Sequence, residues 1–453
     1  MNMLKCTCAA LAAVFGASAS FAAPEITIGT VTQGSNRLVT VPYTLANEPA
    51  VVTFAVETNG PAGWARVDAA FTATAKGDLG KLVDVGDHAI TWRPNRDLKG
   101  VKLPSDGVRF AVTAWPTNNP PAYMVINLLP GAADRVRYYE DEASLPYGGV
   151  LSNDIYRTTS LVMKKVMAKG VKWTMGSSNE QGRQATYEKQ HTVELSDNYY
   201  LAVFPLTYRQ NLLIYGSTAA NYQRFKVDAD MRPADNVPRT IVYGSVGDAS
   251  VHVLRDAPDP NSICGKLKTL CGVAFNLPGE AQWEFACRAG CPSGYWPVAG
   301  GNVAMSMTAV SDGGKTYYED AGFPGRYRWN GGNPVELRDA GMGNYVPVAT
   351  VSTNYATSAV GTYSPNAWGF YDMLGNVYEP CLDWFKNDIS EDGGAVITEE
   401  TSAGHFFVSR GGDIGCGTDG NRPSARTIAG EAANLGGYGH LWGARLWAPC
   451  EAK

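Results

Sequence analysis

Asn376, Val377 and Glu379 bring a side-chain amide, a main-chain carbonyl and a carboxylate within four residues of one another. Hard oxygen donors gathered on one short turn are ligation suited to Ca2+. They close the run Trp368-Gly369-Phe370-Tyr371-Asp372-Met373-Leu374-Gly375-Asn376-Val377-Tyr378-Glu379, whose aromatics, glycines and acids follow neither a helical nor a strand period. Gly369 and Gly375 bracket it, as a backbone that must approach something closely requires. The plainer reading is a turn whose side chains serve nearby backbone amides without a metal.

Thiols and imidazoles are the other groups with chemistry. Of nine cysteines, Cys6 and Cys8 stand at the start, and Cys264, Cys271, Cys287, Cys291, Cys381, Cys416 and Cys450 all lie in the C-terminal half. In an oxidising compartment, pairing is the default. An odd number leaves at least one thiol unpaired, catalytic or bridged to another molecule. Cys264 and Cys271 are close enough in sequence to bridge locally. Cys287 and Cys291 read as a bridge or as partners for distant thiols, and a zinc site would need further ligands at recognisable spacing. The five histidines, His88, His191, His252, His405 and His440, form no pair at helical spacing, so no local iron motif is present.

Residues 1–22 have the pattern of a cleavable secretory signal: Lys5, an apolar run from Ala9 to Phe15, then Ser20-Phe21-Ala22 before a cut at Ala23. A secreted or periplasmic protein is expected. No apolar stretch reaches the ~20 residues of a membrane span. A composition of 45% hydrophobic and 18% charged residues, with 50 glycines and 26 prolines, fits a loop-rich globular chain with few long helices. Net charge is −5 and no basic run is interleaved with aromatics, which argues against nucleic-acid partners.

The elements that must position these groups divide the chain. Over 23–130 the alternations Ile26/Ile28, Val52/Phe54/Val56, Ile90/Trp92 and Phe110/Val112/Ala114 read as half-buried antiparallel strands, giving an accessory β-sandwich. His88 lies in it and reads as structural. Residues 131–159, with Pro130-Gly131, the acidic Glu140-Asp141-Glu142 and Pro146-Tyr147-Gly148-Gly149 at turn-forming positions, read as a linker. From 160 to 453 the texture is irregular α+β. His191–Leu195 reads as a strand. Thr207 with Gln210 makes a capping box for a short helix stopped at Gly216, and a second short helix runs from Gly279 to Arg288, closed by Gly290.

An ordered set of segments spans residues 160–449: Trp173-Thr174-Met175-Gly176-Ser177, His191-Thr192-Val193-Glu194-Leu195-Ser196, Asn276-Leu277-Pro278-Gly279-Glu280-Ala281-Gln282-Trp283-Glu284-Phe285-Ala286, the run 368–379, Ser409-Arg410-Gly411-Gly412-Asp413, and Gly443-Ala444-Arg445-Leu446. In this order they resemble the formylglycine-generating enzyme, or sulfatase-modifying factor, family. The resemblance implies a multi-domain chain whose second part is a C-type-lectin-like fold, rich in loops ordered by calcium. The implied ligands are Asn376, the Val377 carbonyl and Glu379, with a second ion at Asn302 and the Val303 carbonyl.

The implied activity is oxidation of a sulfatase cysteine to formylglycine, using copper and two cysteines. Cys416 stands where the family's oxidases carry the first active cysteine, a soft thiolate suited to Cu(I). A disulfide with another cysteine is its plainer reading. The second cysteine's position is Asn421, Asp413 stands where serine is favoured, and Pro380 replaces a tryptophan. Asp413, Asn421, Arg422 and Arg426 are candidates to line a ligand groove, and Arg422, Arg426 and Arg445 are equally candidates for buried ties to carboxylates. Trp283, Glu284, Trp368, Tyr371 and Trp384 read as core. The expected partner is an exported sulfatase-like protein or a glycan. The alternative to an oxidase is a lectin-like binding module without catalysis.

Overall fold

The computed structural model describes residues 22–67, 72–100, 107–178, 180, 183–216, 228–235, 237–244, 257–291, 357–396, 406–413, 420–428 and 442–453, and the backbone of short strands within 297–347 and at 429–430. The signal segment lies outside them, apart from Ala22. The protein is mostly β-structure with few helices, the longest among the described residues being nine residues. It divides into two compact units: 1–156 with 162–165 and 450–453, and 157–161 with 166–449.

In the first unit two antiparallel sheets share one apolar core. Val39–Ala46 pairs with Glu25–Ile28 on one side and with Gly86–Trp92 on the other; Ala50–Gly60 pairs with Val108–Pro116 in the second sheet. Alternation does the work: Val39, Val41, Tyr43 and Leu45 are buried while the residues between them are not fully so. Phe110 stacks on Phe54 at 6.0 Å and meets Trp92 edge-on at 6.1 Å. Ala50–Gly60 departs from simple alternation, since Val51, Thr53 and Ala55 are buried as well as Val52, Phe54 and Val56. Its second face is covered, with Trp115 Nε1 donating to Thr53 Oγ1 at 2.9 Å and Thr53 donating to Glu140.

The stretch expected to link the units carries structure of its own. Val136–Tyr139 pairs with Tyr123–Ile126, Glu140 and Asp141 hold Arg66 at 2.9 and 3.2 Å, and Asp141 caps the next turn through Ser144 N–H. His88 is structural: it stacks on Tyr43, and its ring nitrogens lie 2.9 Å from Asp78 Oδ2 and 2.8 Å from Asp84 O.

In the second unit Lys172–Met175 pairs with His191–Glu194, and Glu379–Trp384, Phe406–Arg410 and Thr427–Gly430 form an antiparallel sheet. The helix Tyr208–Tyr215 begins at the Thr207/Gln210 capping box and ends at left-handed Gly216. The helix Glu280–Arg288 is entered through Gln282 Oε1, which accepts from Gly279 N–H at 2.8 Å, and through Asp383 Oδ2, which accepts from Glu280 N–H at 2.5 Å. It ends at Ala289, itself left-handed, one residue before Gly290. Its Trp283, Phe285, Ala286 and Cys287 enter a core with Phe370, Met373, Cys381, Phe385 and Val408.

No disulfide joins the six described cysteines, against the expectation of pairing. Cys264 and Cys271 sit seven residues apart on the helix Ile263–Cys271. That separation is a rise of roughly 10 Å, beyond the Cα span a disulfide tolerates.

Candidate functional site

The run 368–379 is anchored at its start by Asn366. Its Oδ1 accepts from Trp368 and Phe370 N–H at 3.0 and 3.1 Å, and its Nδ2 donates to Ala286 O at 2.7 Å, at the end of the Glu280–Arg288 helix. Gly375 and Asn376 are both left-handed, with φ of 84° and 71°, which turns the chain sharply. Gly375 N–H donates to Gly411 O at 2.6 Å, tying this turn to the strand that precedes Asp413.

Two of the three expected calcium donors, the Asn376 and Glu379 side chains, have protein partners. Asn376 Oδ1 accepts from Ser358 N–H at 3.0 Å and its Nδ2 donates to Ser358 O at 3.2 Å. Glu379 is fully buried and takes Arg445 bidentately, Nη2 to Oε1 at 2.7 Å and Nε to Oε2 at 2.8 Å. Trp283 Nε1 donates to the same Oε2 at 2.6 Å. Burial pushes the Glu379 carboxyl up, while Arg445 and Trp283 pull it back. Both Glu379 oxygens thus accept from protein donors, and Asp372, buried on the same run, accepts from Gly361 N–H through Oδ2 at 2.7 Å. Asn302 ends a two-residue strand; its side chain and Val303 lie outside the described residues.

Behind the turn runs a chain of alternating charges. Glu188 holds Arg422 bidentately at 2.6 and 2.7 Å, and Arg422 reaches Glu180 at 3.2 Å. Arg288 lies 3.6 Å from Glu180 and 2.7 Å from Glu284. Glu284 accepts from Arg410, which lies 3.4 Å from Glu280, and Glu280 holds Arg426 at 2.6 and 2.9 Å. All eight residues are buried. Burial alone would raise the Glu284 carboxyl, but Arg288 and Arg410, with hydrogen bonds from Arg288 and Gly176 N–H, more than offset it and hold it below the usual carboxylate value. Four cations against four anions leave no net charge inside, the condition under which buried ions persist.

Of the four groove candidates, none presents its side chain to solvent: Asp413, Asn421, Arg422 and Arg426 are at most 5% exposed. Arg422 and Arg426 are buried ties to carboxylates, as is Arg445. Asn421 packs against Gly412. Gly412 has φ of 70°, and a Cβ there would fall 1.9 Å from Asn421 Oδ1 and 2.9 Å from Gly420 O. Residues 412 and 420–421 therefore touch one another. Cys416 lies outside the described residues, as do His252, His405 and His440. His191 Nδ1 donates to Lys189 O at 2.8 Å, and no three described His, Cys, Asp or Glu residues are grouped to hold a metal.

Burial pushes the thiols of Cys264, Cys287 and Cys381 well above the usual value, and that of Cys450 up to about 11, so these four stay protonated. Sequence reasoning missed Glu180, Glu188 and Glu280. No local spacing marks them, since Glu180, Glu188 and Glu280 meet Arg422, Arg422 and Arg426 across 242, 234 and 146 residues.

Residues 156–439 match the model of the sulfatase-modifying factor enzyme 1-like domain. The chain belongs to the sulfatase-modifying factor family. It is similar to the formylglycine-generating enzyme of Thermomonospora curvata, 31% identical over 115 residues, which are 25% of this chain and 28% of that protein. It is also similar to the formylglycine-generating enzyme of Streptomyces coelicolor, 28% identical over 141 residues, 31% of this chain and 36% of that protein. The chain thus spans about a third of the length of these curated relatives. The solved structure of PvdO from Pseudomonas aeruginosa aligns over 64% of this chain and 94% of its own, at 19% identity and a TM-score of 0.39. No helix among the described residues is long and apolar enough to cross a membrane.

Proposed function

We infer that this sulfatase-modifying factor domain is an exported, lectin-like binding module for a protein or glycan partner, built on the oxidase scaffold without its two-thiol chemistry. The observation that carries this reading is Asn421. At the position the resemblance gives to the second active cysteine stands a fully buried amide, its oxygen against Gly412. An amide supplies no thiolate, so the paired soft donors that would hold Cu(I) do not fit here. Asp413 and Pro380, in place of serine and tryptophan, change the same neighbourhood.

A second reading, formylglycine formation with Cys416 as the thiol, is favoured by the two formylglycine-generating relatives and by the retention of Cys416 itself. In that reaction O2, with copper held by the thiol, would oxidise the substrate cysteine to the aldehyde, its sulfur leaving as sulfide, while a thiol reductant supplies the other two electrons that carry O2 to water. One experiment separates the readings. The purified chain is incubated with Cu(I), O2, a thiol reductant and a sulfatase-type cysteine peptide, and aldehyde is trapped and read by mass spectrometry. The binding module leaves the peptide thiol intact and shows no thiolate-to-copper absorption; stoichiometric aldehyde that is lost in Cys416→Ser establishes the oxidase.

A further inference from the structure

We propose that the outer sheet face around Trp64, in the first unit, is a binding site for an uncharged oligosaccharide. Strand register places its members. Directly paired residues of antiparallel strands point to one face, and that face repeats every second residue. Glu57 pairs with both Arg66 and Arg109, and Asn59 with Trp64, so these five side chains share the face opposite the core residues Val56 and Phe110. The same face continues to Thr53, which is buried beside Glu140. Toward the hairpin end it opens: Asn59, Gly60 and every residue of Gly63–Arg66 are exposed.

Trp64 is 37% exposed, and Arg109 Cζ lies 4.6 Å from the centroid of its ring; among the described residues no other cation or ring meets it. Arg109 is held in turn by Glu57, which accepts from its Nε. Arg66 donates to Glu140 at 2.9 Å and to Asp141 at 3.2 Å. The two arginines thus face three carboxylates, and the face has no positive field to draw a polyanion. It offers a flat apolar ring beside ion pairs that set N–H donors next to carboxylate acceptors. A pyranose matches both features, since one side of its ring is apolar C–H and each hydroxyl both donates and accepts. A protein partner is the poorer match, because a stable interface buries on the order of 1,000 Å2 and Trp64 is the one large exposed apolar side chain of this hairpin. The site lies in the first unit and is independent of what the second unit does.

The test titrates the full chain by isothermal calorimetry with neutral oligosaccharides of β-linked glucose, N-acetylglucosamine, mannose and xylose at millimolar concentration. Saturable binding of at least one is expected, with equal strength in low and high salt because the ligand carries no charge. Trp64→Ala should weaken it by roughly tenfold or more, and Trp64→Phe should keep most of it, since a ring remains to stack on. Both variants alter an exposed side chain, so the melting temperature should stay close to that of the unaltered chain. Binding of none of these sugars would overturn the proposal. Binding that Trp64→Ala leaves unchanged would overturn it too, by placing the sugar elsewhere in the chain. So would salt-sensitive binding of dextran sulfate that the same variant abolishes, which would make the face a polyanion site.

Discussion

In the first unit Val41, Tyr43, Ile90 and Trp92 meet Val52, Phe54 and Phe110 in a core without a charged member, whereas in the second Trp283 and Phe385 share their surroundings with guanidinium groups. Apolar packing is non-directional and adjusts to small changes of shape. A guanidinium is not adjustable in that way, since it is satisfied only when its own carboxylate, from elsewhere in the chain, is in place. The difference teaches that irregular segments are held here by matched pairs more than by the period of any element. Long loops can be ordered by such ties where strands are few.

The largest test of this contrast is Glu284→Gln. It removes the carboxylate that Arg288 and Arg410 share, leaving them the longer contacts to Glu180 and Glu280 at 3.6 and 3.4 Å, and removing one partner of a buried pair typically costs about 3–5 kcal/mol. Denaturant titration should show the second unit's transition displaced and the first unit's unchanged. The same pair gives a sign for pH. A carboxyl held below its ordinary 4.5 contributes stability that is fully present above that value and is lost as pH falls through the lower folded value. The unaltered second unit should therefore weaken below about pH 4.5, and Glu284→Gln should flatten that dependence. A displaced first-unit transition would remove the contrast.

Next in size is Gly412→Ala, at the contact with Asn421. Left-handed backbone costs a non-glycine residue about 1–2 kcal/mol, and the added methyl meets both Asn421 Oδ1 and the Gly420 carbonyl. Asn421→Ala in the same background should return the part due to the side-chain clash and leave the part due to φ. A cycle without coupling would mean that Asn421 does not pack against Gly412.

Legibility followed the same divide. Ile90, Trp92 and Phe110 were readable because alternation is a local property, and Thr207 with Gln210 was readable because a capping box spans four residues. The partners of Arg422 were not, because Glu188 and Glu180 lie 234 and 242 residues away and no period records such a distance. Glu379 was visible as a buried-site carboxylate but ambiguous in kind: Ca2+ and a guanidinium both want its two oxygens. Arg445, 66 residues further on, meets both of them. The cysteine count misled for a related reason, since Cys264 and Cys271 are near in sequence and held apart by the helix between them.

The smallest expected effect lies in the core without charges. Ile90 is fully buried between Val41 and the rest of the first unit's apolar set, its strand paired to Val39–Leu45. Ile90→Val removes one methyl group and leaves every hydrogen bond of that pairing intact. Its cost should be the ordinary loss for that change, about 0.5–1.5 kcal/mol, because aliphatic neighbours such as Val41 can relax toward the gap. The denaturant midpoint of the first transition should fall with its slope unchanged, the signature of lost stability without altered exposure on unfolding. A loss approaching that of Glu284→Gln would mean that this core is packed as rigidly as the charge chain, and the distinction between adjustable and matched contacts would then fail at its softer end.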